Sequence, residues 1–166
     1  MHAYCLFCET QRCLLIARQI EQKYGVQCIY PQIIQRKWVK GQCLEERHYW
    51  LPGYLFLYSE DELWPNEFRL NGVIRWLGRD ELKGQDLSFA ETLLKQNGIM
   101  GTIRLVEVGD RCHVADPIWE NLSGVVTKID RGRKRCQVEF TFDTVRRTVW
   151  VGYDLVKAET ELISES

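Results

Sequence analysis

Few residues of this chain have the types and spacing that chemistry requires. Histidines 2, 48 and 113 have no carboxylate or cysteine at a spacing that forces proximity, and there is no glycine-rich phosphate loop and no H-E-x-x-H helix. Cys5-x-x-Cys8 is half of a zinc or redox motif, but it sits in AYCLFC, whose composition is that of a strand. Residues three apart on a strand face opposite ways, so the two thiols do not converge. The sequence therefore points to no catalytic residue, no metal ligand and no cofactor. One run stands apart: TKIDRGRKRCQVEFTF, residues 127–142.

Between positions 128 and 147 lie Lys128, Arg131, Arg133, Lys134, Arg135, Arg146 and Arg147, against Asp130, Glu139 and Asp143. That is a local charge of +4 in a chain whose formal net charge is −1. A solvated hairpin tip is usually mixed in sign and rich in Gly, Asn and Asp; here Gly132 supplies the turn and arginine most of the rest. Guanidinium forks grip phosphate oxygens bidentately and reach guanine O6 and N7, so several on one tight turn suit nucleic-acid contact. With a near-neutral whole, any polyanion must be met by this local patch rather than by the overall field.

The patch needs a scaffold, and the alternation downstream of it describes one. Cys136, Val138, Phe140 and Phe142 fall on one face of an extended chain and Arg135, Gln137, Glu139 and Thr141 on the other, the period of a half-buried strand. RCHVA, LSGVVTKI and RTVWVGYDLVKA are further short strands separated by turns, and four or five of them in about 55 residues suggest a small barrel. Upstream the pattern differs. After the AYCLFC strand, ETQRCLLIARQIEQKYG places Cys13, Ile16, Ala17, Ile20 and Tyr24 on one helical face, with Thr10 as N-cap and Gly25 as stop. VQCIYPQIIQRKWVKGQCLEERHYWLPGYLFLYSE is expected to form strand, turn and strand, with the turn at VKGQ. GVIRWLG adds a strand, and DLSFAETLLKQNG a helix capped by Asp86 or Ser88 and stopped by Gly98. The sum is α+β: helices on a mostly antiparallel sheet to about residue 100, then a barrel.

The 166 residues, 45% of them hydrophobic, allow one domain or two small ones. Seven cysteines, an odd number without a second C-x-x-C, are expected as reduced thiols acting as small hydrophobes. No signal peptide and no stretch near the roughly 18 apolar residues of a membrane helix is seen, so the reading is cytosolic, with no membrane partner. The segment YWLPGYLFLY is aromatic on one strand face (Tyr54, Phe56, Tyr58) and aliphatic on the other (Leu55, Leu57). It is either a central strand buried on both sides or the site of an exposed patch for a protein partner.

The strand and turn YCLFCETQ, the strands LPGYLFLY and NGVIRWLG, and the stretch GDRCHVADPIWENLSGVVTKID resemble the NusG family of transcription elongation factors, across residues 3 to 159. That resemblance implies an NGN-type α/β sandwich at 1–100, a linker at 101–107 and a KOW (SH3-like) β-barrel at 108–166. KIDRGRKRC most resembles the LoaP branch, antitermination factors whose KOW domain binds an RNA hairpin in the leader transcript. The implied partners are RNA polymerase, docked by its β′ clamp helices on a hydrophobic depression of Phe7, Leu51, Tyr54 and Phe56, and a structured leader RNA. The RNA would be held by Lys128, Arg131, Arg133, Lys134 and Arg135, with Arg146 and Arg147 on the neighbouring turn; Trp119, in a loop that departs from the family pattern, is expected to stack on a nucleotide. The chain would be a monomer without enzymatic activity. The WPNE turn, Trp64 to Glu67, falls where relatives reach the far side of the polymerase cleft. Asp116-Pro117-Ile118-Trp119 replaces the usual Gly-Pro-Phe after the first KOW strand, which weakens the alternative of a general NusG-like factor whose barrel tethers Rho or a ribosomal protein.

Overall fold

A computed structural model describes residues 1–64, 68–109, 111–122 and 124–156. In chain order the elements are β1 (His2–Cys8), α1 (Cys13–Tyr24), β2 (Gln27–Ile29), β3 (Gln32–Val39), β4 (Gln42–Tyr49), β5 (Tyr54–Ser59) and β6 (Val73–Trp76). There follow α2 (Gly84–Lys95), β7 (Ile99–Met100), β8 (Ile103–Val108), β9 (Arg111–Val114), α3 (Pro117–Asn121), β10 (Val125–Asp130), β11 (Arg135–Phe142) and β12 (Val145–Val156). The chain divides into two units: Met1–Gln32 with Tyr49–Met100, and Ile33–His48 with everything from Gly101 onward.

The first unit is a four-stranded sheet in the order β2-β5-β1-β6, with β1 antiparallel to both β5 and β6. Alternation along β1 and β5 sends Tyr4, Leu6, Leu55 and Leu57 to one side, where they meet Cys13, Ile16 and Ile20 of α1. The helical spacing read from the sequence is the buried face, and Gly25, at φ +64°, ends the helix in the left-handed conformation. Thr10 is not its N-cap. It opens a 3-10 turn, Thr10–Arg12, and no side chain caps α1. On the other side of the sheet Phe56 packs against Phe89 of α2, with ring centroids 5.8 Å apart, and the Tyr58 hydroxyl donates to the Ala90 carbonyl at 2.6 Å. That helix begins at Gly84 rather than at Asp86 or Ser88, although Asp86 lies in its first turn, where a negative charge is favourable. Cys5 and Cys8 face opposite sides, as expected of positions i and i+3 on a strand, and both are buried.

The second unit is a five-stranded sheet, β10-β11-β12-β8-β9, whose last strand returns beside β10 and so curls the sheet into a small barrel. The residues expected to form a linker, 101–107, instead supply β8, which pairs in parallel with the end of β12 (Ile103 with Tyr153, Leu105 with Leu155). Ile103 and Leu105 are fully buried, which a tether would not be. The segment Ile33–His48, assigned by sequence to the first domain, groups with the barrel. Its two strands turn at Lys40 and Gly41, both left-handed at φ +50° and +76°, the geometry of a two-residue hairpin turn. Gln35 donates through Nε2 to the Trp150 carbonyl at 2.8 Å, and the Arg36 guanidinium reaches both carboxylate oxygens of Asp154 at 3.2 and 3.4 Å. A Cβ at Gly152 would lie 3.2 Å from Arg36 Cδ, so glycine permits this close approach. DPIWENL, read as a turn, contains α3: Pro117 sits at its start and the buried Asp116 carboxylate accepts the Ile118 N–H at 3.1 Å.

Two glycines give a direct comparison of strain with crowding. Gly25 and Gly98 both have positive φ, but a Cβ meets nothing within 4 Å at Gly25 and Ile29 Cγ2 at 2.5 Å at Gly98. Gly98→Ala should therefore destabilise the protein by roughly 1–3 kcal/mol beyond Gly25→Ala, read from urea denaturation midpoints of the two variants.

Candidate nucleic-acid interface

The cationic run occupies the connection between β10 and β11. Those strands pair as far as Asp130 opposite Arg135, so the loop is the four residues 131–134. Asp130 holds it together: Oδ1 accepts the Arg133 N–H at 3.1 Å and Oδ2 accepts from Arg135 Nε at 3.3 Å. The hydrogen bond from the Arg133 amide, then the bond and charge of Arg135, keep this carboxyl below the usual aspartate range. Lys134 adopts the left-handed conformation, φ +49°, and its carbonyl accepts the Tyr153 N–H at 3.0 Å. The Arg133 carbonyl accepts from the indole of Trp38 on β3 at 3.4 Å. Every bond named here involves a backbone group of the loop or the residue flanking it, so the loop has a defined shape before any ligand arrives.

Its cations are not equivalent. Arg131 turns back to pair with Glu107 of β8, and Arg135 lies over the Trp150 ring with its guanidinium carbon 4.8 Å from the centroid. Lys128, Arg133 and Lys134 are exposed, and no ion pair involves them among the described residues. An exposed pair such as Arg131–Glu107 is worth only about 0–1 kcal/mol, so a phosphate can compete for that arginine. Lys128 also lines a cleft of about 740 Å³ between β9 and β10, with Arg111, His113 and Val125.

Three of the expected contacts are redistributed. Arg146 and Arg147 follow the other hairpin turn, Asp143–Thr144, and lie opposite Thr141 and Phe140 at the far end of β11. Six residues of strand separate Thr141 from Arg135, about 20 Å, or more than two Debye lengths at physiological salt. The sequence cluster is thus two separate features, and Arg146 pairs with Glu139 at 4.0 Å. Trp119 is only 1% exposed. It fills the barrel beside Gly124, whose N–H donates to the Trp119 carbonyl at 3.0 Å, so it offers no ring face to a nucleotide. The exposed tryptophan beside the loop is Trp38, some 95 residues earlier in the chain. Its neighbours Arg36, Lys37 and Lys40 are the only sequence signal that it belongs to a basic surface.

The aromatic patch of the first unit is likewise corrected. Leu51 and Phe56 are fully buried and Tyr54 is 6% exposed, because α2 covers the face that was open to either reading. Phe7 alone is half-buried, opposite Tyr54 at the start of β5. Its ring packs tilted against Tyr54, centroids 5.0 Å apart, with the Arg75 guanidinium 5.6 Å from its ring, above Gly53, where a Cβ would stand 2.8 Å from Phe7 Cε2. Trp64 is exposed, whereas Pro65, Asn66 and Glu67 of the WPNE turn lie outside the described residues. Buried thiols offer no nucleophile at neutral pH: burial pushes Cys8 and Cys136 up to about 12. Among the described residues no cluster of His, Cys, Asp or Glu is arranged to hold a metal ion, and no helix is long and apolar enough to cross a membrane.

No family model matches the chain, and no curated protein matches it. Among solved structures it is similar to NusG of Thermotoga maritima, described as "Domain interaction in Thermotoga maritima NusG". The TM-score is 0.54 at 16% sequence identity, over 91% of this chain and 93% of that one. The fold is NusG-like. The α+β architecture expected from the sequence, an NGN-like sandwich and a KOW-like barrel, is the one the chain adopts.

Two measurements check this geometry. Because the folded Asp130 pKa is depressed, its contribution is complete above the ordinary aspartate value of about 3.9 and is lost as pH falls through its own lower value. The Arg133 amide resonance should therefore titrate with an inflection below that value, and Asp130→Asn should abolish the inflection. Phe56→Ala should cost about 3–5 kcal/mol in denaturant unfolding, as a core residue does and a surface anchor does not.

Proposed function

We propose that this chain is a non-enzymatic transcription elongation factor of the NusG kind that acts as a processive antiterminator, binding RNA polymerase and a leader RNA hairpin together. The observation that carries the RNA half is the pre-shaped 131–134 loop presenting Arg133 and Lys134 to solvent. Arg131 opens the loop and Lys128 and Arg135 flank it, with both arginines able to exchange their present partners for phosphate. Arg146 and Arg147 fall outside this footprint and are assigned no part in it.

The polymerase half rests on the NusG-like fold and on the resemblance of the sequence, which implies docking on the β′ clamp helices. Within the first unit the surface would centre on Phe7 and Arg75, with Leu51, Tyr54 and Phe56 as the packed layer beneath rather than as contacts. Bridging the cleft would hold the clamp closed and reduce pausing and termination. Bivalency supplies selectivity: a hairpin just transcribed raises the local concentration of the factor beside the polymerase that made it. Such a factor works in the cytoplasm as a monomer.

A-form RNA has a major groove too deep and narrow for side chains, so the loop enters where a bulge, internal loop or terminal loop widens it. Binding is electrostatic, and log K should fall by about 0.7–0.9 per neutralised phosphate for each tenfold rise in salt. Charge reversal at Arg133 and Lys134 in the full chain should abolish hairpin binding in a gel shift while leaving polymerase co-purification intact. Loss of both activities would make the loop structural. Retention of RNA binding, with capture of a ribosomal protein or Rho by the barrel, would favour the general NusG-like role.

A further inference from the structure

The hairpin of β3 and β4 is pinned to the barrel by three side chains along one strand: Gln35 to the Trp150 carbonyl, Arg36 to Asp154, and Trp38 to the Arg133 carbonyl. The first two fix the strand. The third ties the edge of an indole to the backbone of the cationic loop. Trp38 nonetheless remains 46% exposed. Tryptophan is large and apolar, and in a core it is covered; tethered by its N–H with nearly half its surface in water, it presents ring to whatever occupies the loop.

What surrounds that ring narrows the choice of occupant. Arg133 and Lys134 are exposed beside it, and Lys40 stands exposed at the hairpin turn. An apolar protein surface would gain nothing from these cations, whereas a nucleotide needs both: phosphate for the cations and a π-face for the indole. Sequence-tolerant stacking of one base on a tryptophan requires that base to be unpaired.

We infer that Trp38 is a stacking platform for one unpaired RNA base, so that the RNA site is a composite of the 131–134 loop and the β3 strand. This rests on the reading that the loop binds RNA, and the two can fail separately. Cations hold the backbone of the stem, and Trp38 takes the base that a bulge or loop turns outward. The site thereby distinguishes an irregular hairpin from a plain one through stacking as well as through groove width.

The test uses the full chain and a stem-loop RNA with a single bulged 2-aminopurine, followed by anisotropy and by 2-aminopurine fluorescence. Stacking on Trp38 should quench the probe in the wild type. Trp38→Ala should relieve the quench and weaken binding by about 5- to 150-fold, with the salt slope unchanged, while Trp38→Phe retains most of both. Arg133→Glu with Lys134→Glu should remove binding altogether. If the charge reversal abolishes binding but Trp38→Ala leaves affinity and quench as they were, the platform is wrong and the RNA reading stands. If the charge reversal leaves binding intact, the RNA reading falls and the platform with it. The wild-type quench needs no variant to fold, and its absence from a bound complex overturns the platform by itself.

Discussion

The carboxylate of Asp130 is the constraint on which the cationic loop depends. Four consecutive residues carrying three positive charges repel one another, and an unrestrained loop of that composition would splay. Asp130 opposes this by taking a backbone N–H from Arg133 and a guanidinium N–H from Arg135, drawing both ends of the loop toward one anion. The local geometry is an aspartate accepting from the backbone a few residues on, which stabilises turns generally. Here it also fixes where charge points. With Arg135 drawn down over Trp150 and Arg131 toward Glu107, the outward positions fall to Arg133 and Lys134.

Below the loop, β11 divides its labour by parity. Cys136, Val138, Phe140 and Phe142 are buried and their neighbours are half-exposed, so the strand is a core element on one side and a surface on the other. The sheet of the first unit allows no such division: both faces of β5 are covered, by α1 and by α2. An aromatic strand between two helices has no surface to offer except at its end. Phe7 lies there opposite Tyr54, the first residue of β5, with Arg75 opposite it on β6.

Local pattern was legible in the sequence wherever one element decides its own conformation. The period of two in residues 135–142, the helical face at Cys13, Ile16 and Ile20, and the opposed Cys5 and Cys8 follow from backbone geometry and are present as read. The Lys40-Gly41 turn and the Gly25 stop are equally local. What the sequence did not disclose is set by distant packing. Whether Tyr54 and Phe56 are exposed depends on where α2 lies, and nothing within YLFLYS records that. Residues 101–107 carry an alternation, with Ile103 and Leu105 inward, too short to distinguish from a tether without its partner Tyr153–Val156. The burial of Trp119 and the exposure of Trp38 beside the loop are likewise set by the packing of the whole barrel, which neither local stretch records.

The anchoring of the β3–β4 hairpin has a consequence for the order in which this molecule becomes competent. Trp38, Arg36 and Gln35 meet partners 95 to 118 residues later in the chain, at Arg133, Trp150 and Asp154. During synthesis the hairpin is made early and must wait, with Trp38 in water, until the last strand of the barrel has left the ribosome. Contacts of such long sequence separation form late, after their loop-closure entropy has been met by other interactions. The composite surface is therefore among the last parts of the chain to assemble, and a truncated or nascent copy lacking β12 has the charged segment without the surface that orients it.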